Sequence, residues 1–223
     1  MITLGSAFLH QCGHGVGARI EGMRISTGFA SAGAPQRRPS DADYRDPMPV
    51  EGTLTLHGIL GPGVNWLLGI VAVVLLHRAR RPTLGALALA AAAIANAGIR
   101  LFPISKTLVT IFTGRLFLDD EATWGIAGSG DLRFPITVAR LNEQIARDAG
   151  VFTHHAWTFF WPAVSLAISL TVMVAAYPKA LALFAPRLPT RLERVLFALM
   201  PFLVTPAILV AAGWLDEHVR LNW

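Results

Sequence analysis

The sequence predicts an all-α integral membrane protein: about four transmembrane helices in two hairpins, an extended N-terminal tail, and an amphipathic outer helix between spans two and three. Composition carries the first part of this, because 53% of the 223 residues are hydrophobic and 15% charged, with a mean hydropathy of +0.51. Patterning carries the second. Charge is missing from four windows of about twenty residues, the length that crosses a bilayer core. Such windows exclude a soluble enzyme, a disordered chain and a disulfide-stapled secreted module. The net charge of +5 does not signal nucleic acid, because the arginines gather at the ends of apolar runs, where they set orientation. Cys12 is the single cysteine and can form no internal disulfide.

Residues 1–56 read as the tail. Gly, Ser, Ala, Pro and Arg dominate, the stretch Ala34 to Ser40 is loop-like, and periodicity is weak, so poor order is expected. Leu9-His10-Gln11-Cys12 lacks the small residues of a lipobox, and the first twelve residues are too short an apolar run to read as a signal helix, so neither signal is expected here. Gly13-His14-Gly15-Val16-Gly17 resembles a phosphate loop only superficially, since no strand precedes it and no Lys-Ser or Lys-Thr completes it.

The first hairpin, 57–104, holds spans 58–76 and 84–104, separated by Arg78, Arg80, Arg81 and Pro82. Asn65 and Asn96 are its polar residues, suited to an interhelical hydrogen bond of roughly 0.6 to 2 kcal/mol. With them, Ala88, Ala92 and Gly98 in the alanine run are expected to allow close helix packing. Arg100, near the outer end, is expected to snorkel to the headgroups; a buried arginine paired with an acid would instead mark function. In the connection 105–153, Val138, Leu141 and Ile145 fall at helical spacing opposite Arg140, Glu143, Arg147 and Asp148, an amphipathic helix. The second hairpin, 154–223, holds spans 157–176 and 195–214, ending the first of these before Tyr177-Pro178. Trp157, Trp161 and Trp214 are expected interface anchors.

Both short loops are basic, the second through Lys179, Arg187, Arg191 and Arg194, so both are expected in the cytoplasm and both termini in the periplasm of a bacterial inner membrane. Histidine is the residue type from which chemistry would come. None lies in mid-span, which disfavours a bis-histidine haem or a ligated pigment. The topology gathers His57, His154, His155 and His218 at the outer interface beside Asp216 and Glu217, a donor set that suits copper, iron or zinc. Adjacent His154 and His155 point about 100° apart on a helix, so one of them would face such a centre. The alternative is that these rings sit in the headgroup zone without a ligand. No catalytic or cofactor-binding residue is expected. The function expected is an accessory subunit of a larger bacterial energy-transducing complex, photosynthetic reaction-centre and light-harvesting or respiratory, with partner subunits, lipids and peripheral pigments as contacts. The alternative is a membrane oxidoreductase or metal-handling protein using the outer histidines.

Overall fold

The computed structural model describes residues 1–22, 24–33, 49–50, 56–113, 120–122, 136–137 and 156–223. Among them, five long helices carry the fold: α1 (Ile2–Ile20), α2 (Leu56–Arg78), α3 (Leu84–Thr113), α4 (Ala156–Phe184) and α5 (Arg191–His218). Short strands β1 (Ser26–Thr27), β2 (Ala32–Gly33), β3 (Pro49–Val50), β4 (Ile136–Thr137) and β5 (Leu221–Asn222) join segments distant in sequence. Three stretches, Gly58–Arg78, Leu84–Leu101 and Phe159–Arg187, are long and apolar enough to cross a membrane.

Local signals set the helix ends. The Thr83 hydroxyl accepts the Ala86 amide at 3.2 Å and opens α3 one residue after Pro82. Thr190 and Glu193 form a reciprocal capping box at the start of α5, each side chain accepting the other residue's amide. Two ends differ from expectation. α3 continues past residue 104 to Thr113, and α4 continues through Tyr177-Pro178 to Phe184. Pro178 is exposed, so its missing amide and its ring fall on the outer side of the helix. The extension is held by burial of Ala180 and Phe184 and by the Tyr177 hydroxyl, which donates to the Ala198 carbonyl at 2.9 Å.

The core lies between α2, α3 and α4, built from Ala72 and Leu76, from Ala86, Ala90, Ala93 and Ala97, and from Val172, Met173 and Ala176. Small residues at this spacing bring the helix axes close, and packing substitutes for the hydrophobic effect that lipid cannot supply. The buried stripe of α3 is thus one step away from the expected one. Ala88 is exposed, Ala92 half-buried against the core, and Gly98 half-buried with open space where a Cβ would stand. Asn65 and Asn96 pair as expected: the Asn65 amide donates to Asn96 Oδ1 at 2.8 Å, and Asn96 donates to the Ala92 carbonyl at 2.8 Å.

The largest departure is the tail, where α1 is a full helix packed on α2 and α3. Its buried residues are Ser6, His10, Gly13, His14, Gly15, Gly17 and Ala18, small or polar residues that give no apolar periodicity. They fit because the two helices nearly touch: a Cβ on Gly13 would overlap the Leu60 carbonyl of α2. Beyond α1, β1 pairs antiparallel with both β2 and β5, matching Ser26 to Gly33 and to Asn222. Asp216 locks this sheet. Its Oδ1 accepts the Ala30 amide at 2.9 Å and the Ser31 amide at 3.2 Å, while Oδ2 accepts from the Ser31 hydroxyl and Arg220. Arg220 also donates to the Ser26 hydroxyl and carbonyl. Asp216→Ala removes the one carboxylate described beside Arg220 and leaves three donors without this acceptor, so a loss of about 3 kcal/mol is expected, read as a lower thermal midpoint in detergent.

The amphipathic helix expected near 138–148, together with His154 and His155, lies outside the described residues, as do the side chains of His57 and Trp157. Trp161 is half-buried with its ring 5.1 Å from Phe160 in a T-shaped contact, and Trp214 is exposed.

Candidate metal centre

His10 and His14 stand one turn apart on the buried face of α1, the spacing that places two imidazoles on one side of a helix. Their Nε2 atoms are 3.2 Å apart. Asp120, in the helical residues 120–122, brings Oδ2 to 3.1 Å from His10 Nε2 and 3.8 Å from His14 Nε2. These three atoms form the one group of metal-ligand type among the described residues. A tetrahedral ion with ligand bonds of about 2.0 to 2.1 Å separates its donors by about 3.3 Å. The observed separations bracket that value.

His10 Nε2 stands at the centre of this cluster. His10 Nε2 meets His14 Nε2, Asp120 Oδ2 and, at 3.4 Å, Nη1 of Arg100. A ring nitrogen carries one proton or one lone pair, so it serves one of these neighbours at a time. A cation serves both imidazoles and the carboxylate together. Burial, helped by the nearby Arg100 and His14, lowers the His10 pKa below its ordinary value against the opposing pull of Asp120, which keeps the ring in its ligating form. Burial alone would raise the Asp120 carboxyl, but hydrogen bonds from His10 and His14 and the positive charge of Arg100 hold it well below the usual carboxylate range.

Glycine shapes the flank of the site. A Cβ on Gly61 would overlap His14 at Nε2, so glycine is what lets α2 pack this close to the ring. Behind the ligands, Arg100 is 2% exposed and Glu121 1%. Arg100 donates from Nε to Glu121 Oε1 at 2.9 Å and from Nη2 to Oε2. The Ser165 hydroxyl donates to Glu121 Oε1 at 2.7 Å, and Trp66 Nε1 donates to the Ser165 oxygen at 3.1 Å. Arg100 therefore does not snorkel; it is the buried, acid-paired arginine of the alternative reading, because a partner on the 120–122 segment comes to it.

The expected histidine set does not form this centre. His218 caps the end of α5, stacking on Trp214 at 4.4 Å with Nδ1 bonded to the Trp214 carbonyl at 2.7 Å. Asp216 is committed to the sheet lock, and His57, His154 and His155 have no described side chains. Sequence reasoning missed His10, His14, Asp120 and Glu121. The signal present was His10-Gln11-Cys12-Gly13-His14, two histidines at i and i+4 as in the H-E-x-x-H zinc helix, with Gln11 where that motif carries its glutamate base. No protein-family model, curated protein or solved structure matches the chain.

Proposed function

We propose that this chain is a membrane protein built around a zinc-class metal centre held by His10, His14 and Asp120, of the kind used for metal-assisted amide hydrolysis. The convergence of His10 Nε2, His14 Nε2 and Asp120 Oδ2 within 3.8 Å carries the reading. Three protein ligands leave a fourth position for water or substrate, the arrangement of catalytic rather than structural zinc. Polypeptide is the substrate class served by two imidazoles at this helical spacing. Gln11 departs from that pattern, because an amide side chain cannot take a proton from metal-bound water. The protein as it stands thus holds the metal and a polypeptide ligand and hydrolyses slowly.

The direct test is zinc titration of the chelator-stripped full chain in mild detergent. One equivalent per chain supports the centre; near-zero stoichiometry means that a proton on one imidazole balances Asp120 instead, and ends the reading. Gln11→Glu supplies the missing base. It is expected to raise zinc-dependent cleavage of labelled casein by about 100-fold, a gain abolished by adding His14→Ala.

In the same reading α5 is a fourth span, the basic ends of α2 and α4 face the cytoplasm of a bacterial inner membrane, and the metal centre opens on the periplasmic side. A second reading, an accessory subunit of an energy-transducing complex, is favoured by α5, whose Leu199, Met200 and Phe202 are exposed on more than one side. Stoichiometric co-purification with respiratory or photosynthetic subunits, weakened by Ala92→Leu, is its test.

A further inference from the structure

We propose that α1 dips into the bilayer beside α2 and that its outward face, Ile2, Leu9 and Val16, is covered by lipid acyl chains. The proposal rests on the membrane reading of α2 and needs no metal.

Depth comes first. Helix α1 runs antiparallel to α2: Gly13 lies against the Leu60 carbonyl, His14 lies against Gly61, and the Ser6 carbonyl accepts from Nδ2 of Asn65 at 3.4 Å. Asn65 is seven residues inside the apolar stretch that begins at Gly58, or about 10 Å below its start at a rise of 1.5 Å per residue. Between those contacts, Leu9 on the opposite face of α1 stands some 6 Å below the same level. A helix in contact with a membrane span at that depth shares the span's surroundings.

Polarity runs in the direction that lipid requires. Ser6, His10 and His14 turn toward α2 and α3, where they meet Asn65, Arg100 and Gly61. Ile2, Leu9 and Val16 follow one another every seven residues, share one face of the helix, and are exposed. A surface helix in water turns the other way, apolar residues inward and polar residues outward. In membrane bundles the ionisable residues point to the interior. No Asp, Glu, Lys or Arg occurs from Ile2 to Ala18, and the exposed Arg19 follows where the helix rises to headgroup level. The neighbouring α2 exposes Leu67, Val71 and Val74, so the outward face of α1 continues the apolar surface of a helix built to cross the membrane. His10, Gln11 and His14 lower the mean hydropathy of α1, and composition alone therefore conceals it.

The test uses the full chain with Cys12→Ser, reconstituted in phosphatidylcholine and phosphatidylglycerol vesicles, with one nitroxide-labelled cysteine at a time: Leu9→Cys, Val16→Cys, Ile20→Cys or, on α2, Val71→Cys. Paramagnetic resonance reads collision of each label with oxygen, which concentrates in lipid, and with a water-soluble nickel chelate. Oxygen is expected to dominate at Leu9 as at Val71, and the oxygen-to-nickel ratio to fall several-fold from Leu9 through Val16 to Ile20, which lies about 16 Å nearer the water. Dominance of nickel at Leu9 with Val71 in lipid overturns the proposal and leaves the membrane reading standing. Exclusion of both agents at Leu9 means that protein covers the face, and overturns it as well. Dominance of nickel at Val71 overturns the membrane reading, and this one with it. Should a labelled variant fail to fold, the unaltered chain gives the same answer: phosphatidylcholine with a diazirine on its acyl chain is expected to leave adducts on residues 1–19, and adducts on α2 without any there overturn the proposal.

Discussion

Replacing His10, His14 or Asp120 with alanine is expected to lower zinc affinity by on the order of 100-fold or more, the largest functional effect of any single change in this chain. Removing even an outer partner of a metal ligand costs 10- to 100-fold in many sites, and loss of a ligand costs more. The three substitutions should act alike, because each removes one of only three protein donors among the described residues. His77→Ala and His218→Ala are the controls. Both rings are exposed and bonded to the carbonyl four residues earlier, at Val73 and Trp214, so zinc binding should be unchanged. Competition against a chelator of known affinity reads all five proteins. Unaltered affinity after both His14→Ala and Asp120→Ala would remove the centre from consideration.

A comparable loss is expected from adding a single methyl group at the contact between α1 and α2. Gly13→Ala places a Cβ on the Leu60 carbonyl, and backbone cannot rotate aside. Gly61→Ala places one on His14 at its ligating nitrogen. Overpacking of this kind costs about 1 to 3 kcal/mol and more where the neighbour is main chain, so Gly13→Ala should lie at or above the upper figure. The two differ in what they break. Gly13→Ala lowers the unfolding midpoint by separating the helices, whereas Gly61→Ala moves one ring and forfeits zinc at a smaller stability loss. Gly63→Ala, two residues away with open space around its Cβ, should stabilise the helix by about 0.5 to 1 kcal/mol. Thermal unfolding with and without zinc separates the three outcomes.

The three apolar spans were legible because hydropathy over about twenty residues is a local property of the chain. Asn65 and Asn96 were legible too, since a polar side chain inside an apolar run must find a partner. Helix α1 was not. Its buried face is made of Ser6, His10, Gly13, His14 and Gly17, and a helix that buries small and polar atoms carries no apolar stripe. Arg100 posed the right question, an arginine in an apolar helix, but the answer lay in Glu121, 21 residues away, among six acidic residues of one connection. Nothing local distinguishes Asp120 and Glu121 from the other four. A His10, His14 and Asp120 cluster assembled from two distant segments is visible only when the segments are brought together.

The sheet joining Ser26 to Asn222 closes nearly the whole chain into one loop, and this sets the order of events during synthesis. Loop closure between segments so far apart is slow compared with local helix formation. Helix α1 leaves the ribosome before its partners, carrying both imidazoles, and Arg100, Asp120 and the Asp216 lock follow some 90, 110 and 200 residues later. At about 5 to 20 residues per second, the interval lasts on the order of ten seconds or more. Until residue 120 emerges the histidines lack Asp120, and α1 rests on α2 and then on α3 as each is made. Under the proposed metal reading, the three-ligand set is complete only once residue 120 has emerged, well before the Asp216 lock can form.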